Sequence, residues 1–230
     1  MRILILALCL TVTPFVARTQ AQLAAWNVSG TNAVANNPFS ATLLSPRVAN
    51  AALTLGAGVS ASTTSNTFGA SSFDTTSLGA AIANRDYISF SLTPSPGFNL
   101  NIDSLAWNSG VATAVTQFNV ALFSSATGFT IDDALHTYSF STAGAAAQSV
   151  TLSTHVSLQD IAGSIEFRLY GWRDTTGTST FRIRDLAAND LSISGTAISA
   201  VPEPSSYAAI SGTLMMAGAI WRRRQAKKKP

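Results

Sequence analysis

The chain has one cysteine and two histidines in 230 residues, and only 11% of it is charged. Each shortage removes a class of protein. Cys9 alone cannot make an intramolecular disulfide framework, and it leaves no cysteine cluster for zinc. His136 and His155 have no Cys, Asp or Glu at metal-ligand spacing, and neither His-x-His nor His-x-x-x-His occurs, so no metal and no cofactor is expected. Between residues 22 and 200 there is no lysine and a single glutamate, Glu166. A glycosidase needs two opposed carboxylates, and Glu166 would have to recruit an aspartate for the second. No Gly-x-Ser-x-Gly turn and no phosphate-cradling glycine loop is present. No repeat of 20–50 residues appears, which argues against solenoids and propellers.

The excess of basic residues is confined to the two ends. The whole chain carries a formal charge of +3. Eight of its fourteen basic residues are Arg2, Arg18, Arg222, Arg223, Arg224, Lys227, Lys228 and Lys229. Residues 22–200 hold six arginines against ten acidic residues, a balance of −4. A nucleic-acid partner requires a basic surface, so none is expected.

The first 21 residues have the form of a secretory signal peptide. Arg2 gives a positive start, residues 3–16 are mainly apolar, and Thr19 and Ala21 put small residues at positions −3 and −1 of a cut between Ala21 and Gln22. The alternative is an uncleaved N-terminal anchor. The Asn27-Val28-Ser29 triplet fits a glycosylation sequon but is short enough to arise by chance.

The body, residues 22–199, reads as extended structure. Ser, Thr, Asn, Gly and Ala replace the charged residues that surface helices use. Residues 26–79 suggest a long surface loop with one or two edge strands, such as Val48–Leu55; a mucin-like linker is the alternative, although Phe68 and Phe73 ask for burial. From Asp86 onward the alternation is clear. Ile88, Phe90 and Leu92 share one face, as do Ile165, Phe167 and Leu169, then Phe181 and Ile183, then Leu191, Ile193, Gly195 and Ala197. Between Ile102 and Leu105 the alternation slips by one residue at Asp103-Ser104, which predicts a β-bulge. Ser157 to Asp160 resembles a capping box that opens one helical turn. Eight to ten short strands with frequent turns predict an all-β protein. The expected architecture is an antiparallel β-sandwich, jelly-roll-like, flanked by a signal-peptide helix and a C-terminal transmembrane helix.

Candidate sites in the body are sparse. Asp132-Asp133 lacks the alternating oxygens of a Ca²⁺ loop and reads better as a solvated turn. Glu166 and Arg168 fall one strand period apart on an outer face and are placed to pair. Trp107, Tyr170 and Trp172 are candidates for a platform that stacks on sugar rings; packing in the core or at its rim is the commoner role for such residues.

The last segment, residues 200–230, has three parts in order. Val201-Pro202-Glu203-Pro204 keeps the chain extended, residues 206–221 form a small and apolar run ending in Trp221, and Arg222, Arg223 and Arg224 follow at once. Sixteen residues of helix span about 24 Å, a little less than the ~30 Å hydrocarbon core. The positive-inside rule then places the C-terminus in the cytoplasm and the body outside.

This tail resembles the PEP-CTERM sorting signal of Gram-negative bacteria. The resemblance implies recognition of Pro202, Glu203 and Pro204 by exosortase, a membrane-embedded cysteine protease, with Arg222 to Arg224 as the stop-transfer cluster. It also implies cleavage near the motif and delivery of the ectodomain to the cell surface or an exopolysaccharide matrix. The apolar run is shorter than usual, and residues 225–230 extend past the arginines. Phe167 to Trp172 and Thr180 to Leu186 are similar to ectodomains that carry such tails. The expected function is a non-enzymatic surface or matrix protein, structural or adhesive, with extracellular polysaccharide as a partner besides exosortase. A carbohydrate-binding or carbohydrate-active jelly roll is the alternative.

Overall fold

The computed structural model describes residues 21–111, 117–140, 144–186 and 189–200, with Gly212, Met215 and Met216 besides. Residues 1–20 of the leader, the Pro202-Glu203-Pro204 motif, nearly all of the apolar run and Arg222 to Arg224 lie outside the described residues. Among the described residues no helix is long and apolar enough to cross a membrane.

Strands dominate because the apolar residues alternate with small polar ones. In chain order the elements are β1 (Ala21–Trp26), β2 (Phe39–Ser40), β3 (Leu43–Leu44), β4 (Val48–Leu55), β5 (Ser60–Ala61), β6 (Thr67–Phe73), α1 (Leu78–Asn84), β7 (Tyr87–Pro94), β8 (Phe98–Val111), β9 (Phe118–Ser124), β10 (His136–Phe140), β11 (Gly144–Thr151), β12 (Ile165–Arg173), β13 (Ser179–Arg184) and β14 (Leu191–Ser199). One sheet has eight strands ordered β3-β1-β14-β8-β13-β6-β5, with β11 also paired to β8. The other has six, ordered β10-β9-β12-β7-β4-β2. Neighbouring strands run antiparallel, and the two sheets face one another as a β-sandwich.

The inner faces follow the alternation. Ile88, Phe90, Leu92, Ile165, Phe167, Leu169, Phe181, Ile183, Leu191 and Ile193 are all buried. Phe73, Phe118 and Phe181 meet across the two sheets with ring centroids 5.5–5.8 Å apart. Gly171 makes room for them: a Cβ there would come within 2.6 Å of Phe118 and 2.9 Å of Phe73. The bulge in β8 sits at the slip in the sequence. Ser194 opposes Ser104 while Gly195 opposes Ile102, so Asp103 is the extra residue, and Leu152 and Ser153 donate to its carbonyl. Before the bulge Leu100 and Ile102 are buried; after it Leu105 and Trp107 are.

The long β8 branches the sheet. β14 pairs with its first part, up to Trp107, and β13 with its end, from Ser109. β11 pairs with residues 104–111 and overlaps both, so it takes the opposite edge. Asp190 stands at the fork. Its backbone carbonyl accepts from Asn108 and its N–H donates to Trp26. Its fully buried carboxylate accepts from the N–H groups of Val28 (2.8 Å) and Leu186 (3.0 Å).

Two local expectations are corrected. Residues 26–79 are not a surface loop: Trp26, Phe68 and Phe73 are wholly buried, and β6 lies between β5 and β13. Small residues hid the pattern, since Gly69 and Ala70 are buried without contributing apolar bulk. The turn near Ser157 is a 3-10 turn, Val156–Leu158, with no side-chain cap. Asp160 instead binds β8, accepting from Asn99 (2.7 Å) while its own N–H donates to Asn101 (2.7 Å).

Candidate functional site

The outer face of the six-stranded sheet carries the most varied chemistry. Odd-numbered residues of β12 enter the core, so Glu166, Arg168, Tyr170 and Trp172 point outward. In register, Tyr170 stands between Tyr87 and Ala121, and Trp172 beside Asn119. Part of this face is roofed. Ser77 caps α1 by accepting from Ala80, Arg85 ends it at a φ of 66°, and the helix lays Leu78, Ala81 and Ile82 over the sheet. Ala81, Ala121, Phe123 and Tyr170 thereby form a second buried cluster outside the sandwich. Seven residues of helix are too few for a visible 3.6-residue stripe, so only the capping serine hinted at it.

Arg168 bounds this cluster. Its guanidinium lies 4.5 Å from the Tyr87 ring centroid and 3.8 Å from that of Phe129. Nε and Nη2 donate to the two oxygens of Glu166 at 2.9 and 2.8 Å, and Nη1 donates to the Tyr170 hydroxyl at 3.2 Å. Burial lowers the Arg168 pKa, but the bonds to Glu166 and Tyr170 outweigh it and hold it above the ordinary value. Burial likewise pushes the Tyr170 phenol up, against the pull of Arg168. The expected Glu166–Arg168 pair is therefore present, and both glutamate oxygens are occupied by it.

The proposed aromatic platform does not assemble. Trp107 lies between the sheets, 2% exposed, and its indole donates to the Tyr138 hydroxyl at 3.0 Å. Tyr170 is 1% exposed beneath the roof of α1. Only Trp172 reaches an open surface. The slip at Asp103 turned Trp107 inward, and the unrecognised helix covered Tyr170. Trp172 instead lines a groove of about 400 Å³ with Leu78, Asn119, Thr137, Tyr138 and Ser139. Trp172, Asn119 and Ser139 form one cross-strand row over β12, β9 and β10. Sequence reasoning missed Asn119, Thr137 and Ser139; their alternation with buried residues of β9 and β10 was the available signal.

On the far side of α1, Gly79, Ile82, Phe129, Thr130, Ile131 and Asp132 enclose a further groove of about 420 Å³. Asp132 and Asp133 belong to the 3-10 turn Ile131–Asp133. Asp133 accepts from the hydroxyl and N–H of Thr130 at 2.7 and 3.0 Å, and these bonds hold its carboxyl below the usual range. The pair is thus a structural turn. Among the described residues, no three His, Cys, Asp or Glu gather to hold a metal ion. Asn27 accepts from the Ser29 N–H and so shapes a turn. Ala21 and Gln22, at the expected cleavage point, oppose Gly195 and Ser194 in β14.

No family model and no curated protein matches the chain. Among solved structures, it is similar to the K1 cleaved adhesin domain of Lys-gingipain from Porphyromonas gingivalis W83. That likeness has 14% identity and a TM-score of 0.28 over 64% of this chain and 82% of that one. The K3 cleaved adhesin domain of the same protein gives 14% identity and a TM-score of 0.29, over 56% and 72%. A CBM4 structure gives 12% and 0.24, over 48% and 76%. No residue role is carried over from them.

Proposed function

We propose that this chain is an exported, non-enzymatic cell-surface or extracellular-matrix protein, sorted by its C-terminal tail, with a β-sandwich that is structural or adhesive. The observation that carries the reading is the ordered tail: Pro202-Glu203-Pro204, the apolar residues 206–221, then Arg222, Arg223 and Arg224. In this reading the signal peptide leads export and is cut between Ala21 and Gln22. Residues 206–221 hold the protein in the inner membrane with its C-terminus in the cytoplasm. Exosortase then cuts near the motif and releases the body outward. The acidic balance of the body suits a domain that works away from nucleic acid. The finer fold in this reading is a jelly roll. In its favour, β6-β13-β8-β11 face β7-β12-β9-β10, and the chain changes sheets between β6 and β7, β7 and β8, and β8 and β9.

The test is the intact mass of the protein at the cell surface. A species ending near Pro204 supports sorting by cleavage. A species that retains Trp221 and the arginines sinks it in favour of a permanent single-span anchor.

One observation favours carbohydrate binding as a second reading. Trp172 offers a half-exposed ring beside the amide of Asn119 and the hydroxyls of Thr137 and Ser139. An aromatic ring stacks on the apolar face of a sugar, and amides and hydroxyls bond its rim. Saturable glycan binding that is lost in Trp172→Ala establishes this site; absence of binding, or binding that survives the substitution, overturns it.

A further inference from the structure

The opposite face of the sandwich holds two arginines that the fold does not use. Arg182 and Arg184 stand one strand period apart on β13 and point out of the eight-stranded sheet, about 7 Å apart along the strand. Their surroundings are bare. Arg182 opposes Gly69 on one side and Gly110 on the other, and Gly110 opposes Ala145. A cross-strand row of Gly69, Arg182, Gly110 and Ala145 thus has only one long side chain. The stem of Arg184 leans onto that row: a Cβ on Gly110 would come within 2.6 Å of Arg184 Cδ, and one on Gly69 would collide with Arg182. The glycines therefore leave room for both stems to lie along the sheet.

Among the described residues, no carboxylate pairs with either charge. The ion pair among the described residues is Glu166–Arg168, in the other sheet. Arg182 Nε is shielded from solvent and has no hydrogen-bond partner. Burial, and secondarily the charge of Arg184, hold the Arg182 pKa below the ordinary arginine range. Two partly desolvated like charges side by side repel one another, and an oxyanion between them removes that cost.

We propose that Arg182 and Arg184, on their glycine floor, bind the carboxylate or sulfate groups of an acidic polysaccharide. The guanidinium fork matches either group with two parallel N–H···O bonds. The site is an open strip rather than an enclosed pocket, which suits a repeating polyanion better than a small ion. An acidic peptide finds less there. Both edges of β13 are occupied, by β6 and β8, so a peptide cannot add as a strand. Thr180, on the same face of β13, supplies a hydroxyl partner for sugar oxygens. The source of the polysaccharide rests on the surface reading above; the binding chemistry does not.

The test uses the full-length chain in detergent, with Arg222 to Arg224 and Lys227 to Lys229 replaced by Gln so that the basic end does not itself bind polyanions, and affinity electrophoresis against polygalacturonate and dextran sulfate, with neutral dextran and polyglutamate alongside. Expected is retardation by at least one of the two acidic polysaccharides, weakened by added salt and at least tenfold weaker in the R182Q/R184Q variant. The R182K/R184K variant keeps the charge but loses the fork, and is expected to fall between. R47Q removes an exposed arginine elsewhere and is expected to leave the retardation unchanged. A thermal melt of R182Q/R184Q, expected no lower than the parent because like-charge repulsion is relieved, excludes unfolding. Absence of retardation by both acidic polysaccharides overturns the proposal, as does retardation undiminished in R182Q/R184Q. Equal retardation by polyglutamate overturns it in favour of an acidic protein partner. The mass of the surface species tests the sorting reading separately, since purified protein binds or fails to bind wherever the cell places it.

Discussion

Replacing Asp86 by Asn is expected to stabilise the protein at neutral pH. Asp86 follows α1 and ties the helix to the sheet: its N–H donates to Ala81 and its carbonyl accepts from Gly171. The residue is 1% exposed, with one carboxylate oxygen against Gly58 and the other accepting from Thr75 at 3.1 Å. Burial raises its pKa from 3.8 to about 6, the Thr75 bond opposes the rise, and Asp74 adds to it. The sign follows from proton linkage. The folded state holds a proton that the unfolded state releases, so stability falls as pH rises from about 4 to about 6 and is level above that. A shift of this size corresponds to a ceiling of about 3 kcal/mol. Solvent near the carboxylate screens the charge and reduces the expected effect to about 1–2 kcal/mol. Asn keeps an acceptor for Thr75 and carries no charge. Chemical unfolding of parent and D86N between pH 3.5 and 8 measures the difference. At pH 7 the variant should melt roughly 2–8 °C higher, and below pH 4 the two should coincide. A variant less stable at pH 7, or a difference that does not titrate between pH 4 and 6, refutes the reasoning.

Two further substitutions test the packing. Gly171→Ala drives a methyl into the Phe73–Phe118 contact and should cost about 1–3 kcal/mol by overpacking, seen as a lower denaturation midpoint with unchanged slope; a neutral result would mean that the aromatic trio shifts freely. Asp190→Ala leaves the Val28 and Leu186 N–H groups without their acceptor and should cost about 2–4 kcal/mol. Hydrogen exchange at those two amides should accelerate before that of the β14 amides, and uniform acceleration would contradict a role confined to the fork.

Strands with one large apolar residue in every two were legible. The inner faces of β7, β12 and β13 fall where alternation puts them, because a side chain as large as Phe or Ile marks its face unambiguously. The bulge in β8 was legible for the same reason: Ile102 and Leu105 cannot share a face without an extra residue between them. β6 was not, since the small residues in Thr67–Phe73 leave only Phe68 and Phe73 to speak for it, and these fall on the same face only through a register shift opposite β13. The site was half legible. Outward placement of Tyr170 and Trp172 followed from their neighbours Leu169 and Gly171. Exposure did not follow, because α1 arrives from a distant part of the chain and covers one and not the other.

The scarcity of charge now has a physical meaning. Many of the ionic groups in the body help to hold it together. Asp190 fastens the branch of the large sheet, Asp160 holds a loop to β8, and Asp133 closes its turn. Glu166 and Arg168 bind one another beside Tyr87, Phe129 and Tyr170, and Arg173 locks the β12–β13 turn by donating to the carbonyls of Thr175 and Thr178. Arg47 donates to the Ala197 carbonyl and lies over Phe98. A catalytic acid or base must be free to exchange its proton, and a group bonded on every side for structure is poorly suited to that. Arg182 and Arg184 are different: close together, outward and, among the described residues, paired with no carboxylate. Arg47, Arg168 and Arg173 serve the fold, whereas Arg182 and Arg184 lie over a glycine floor, the arrangement proposed above to hold an anion.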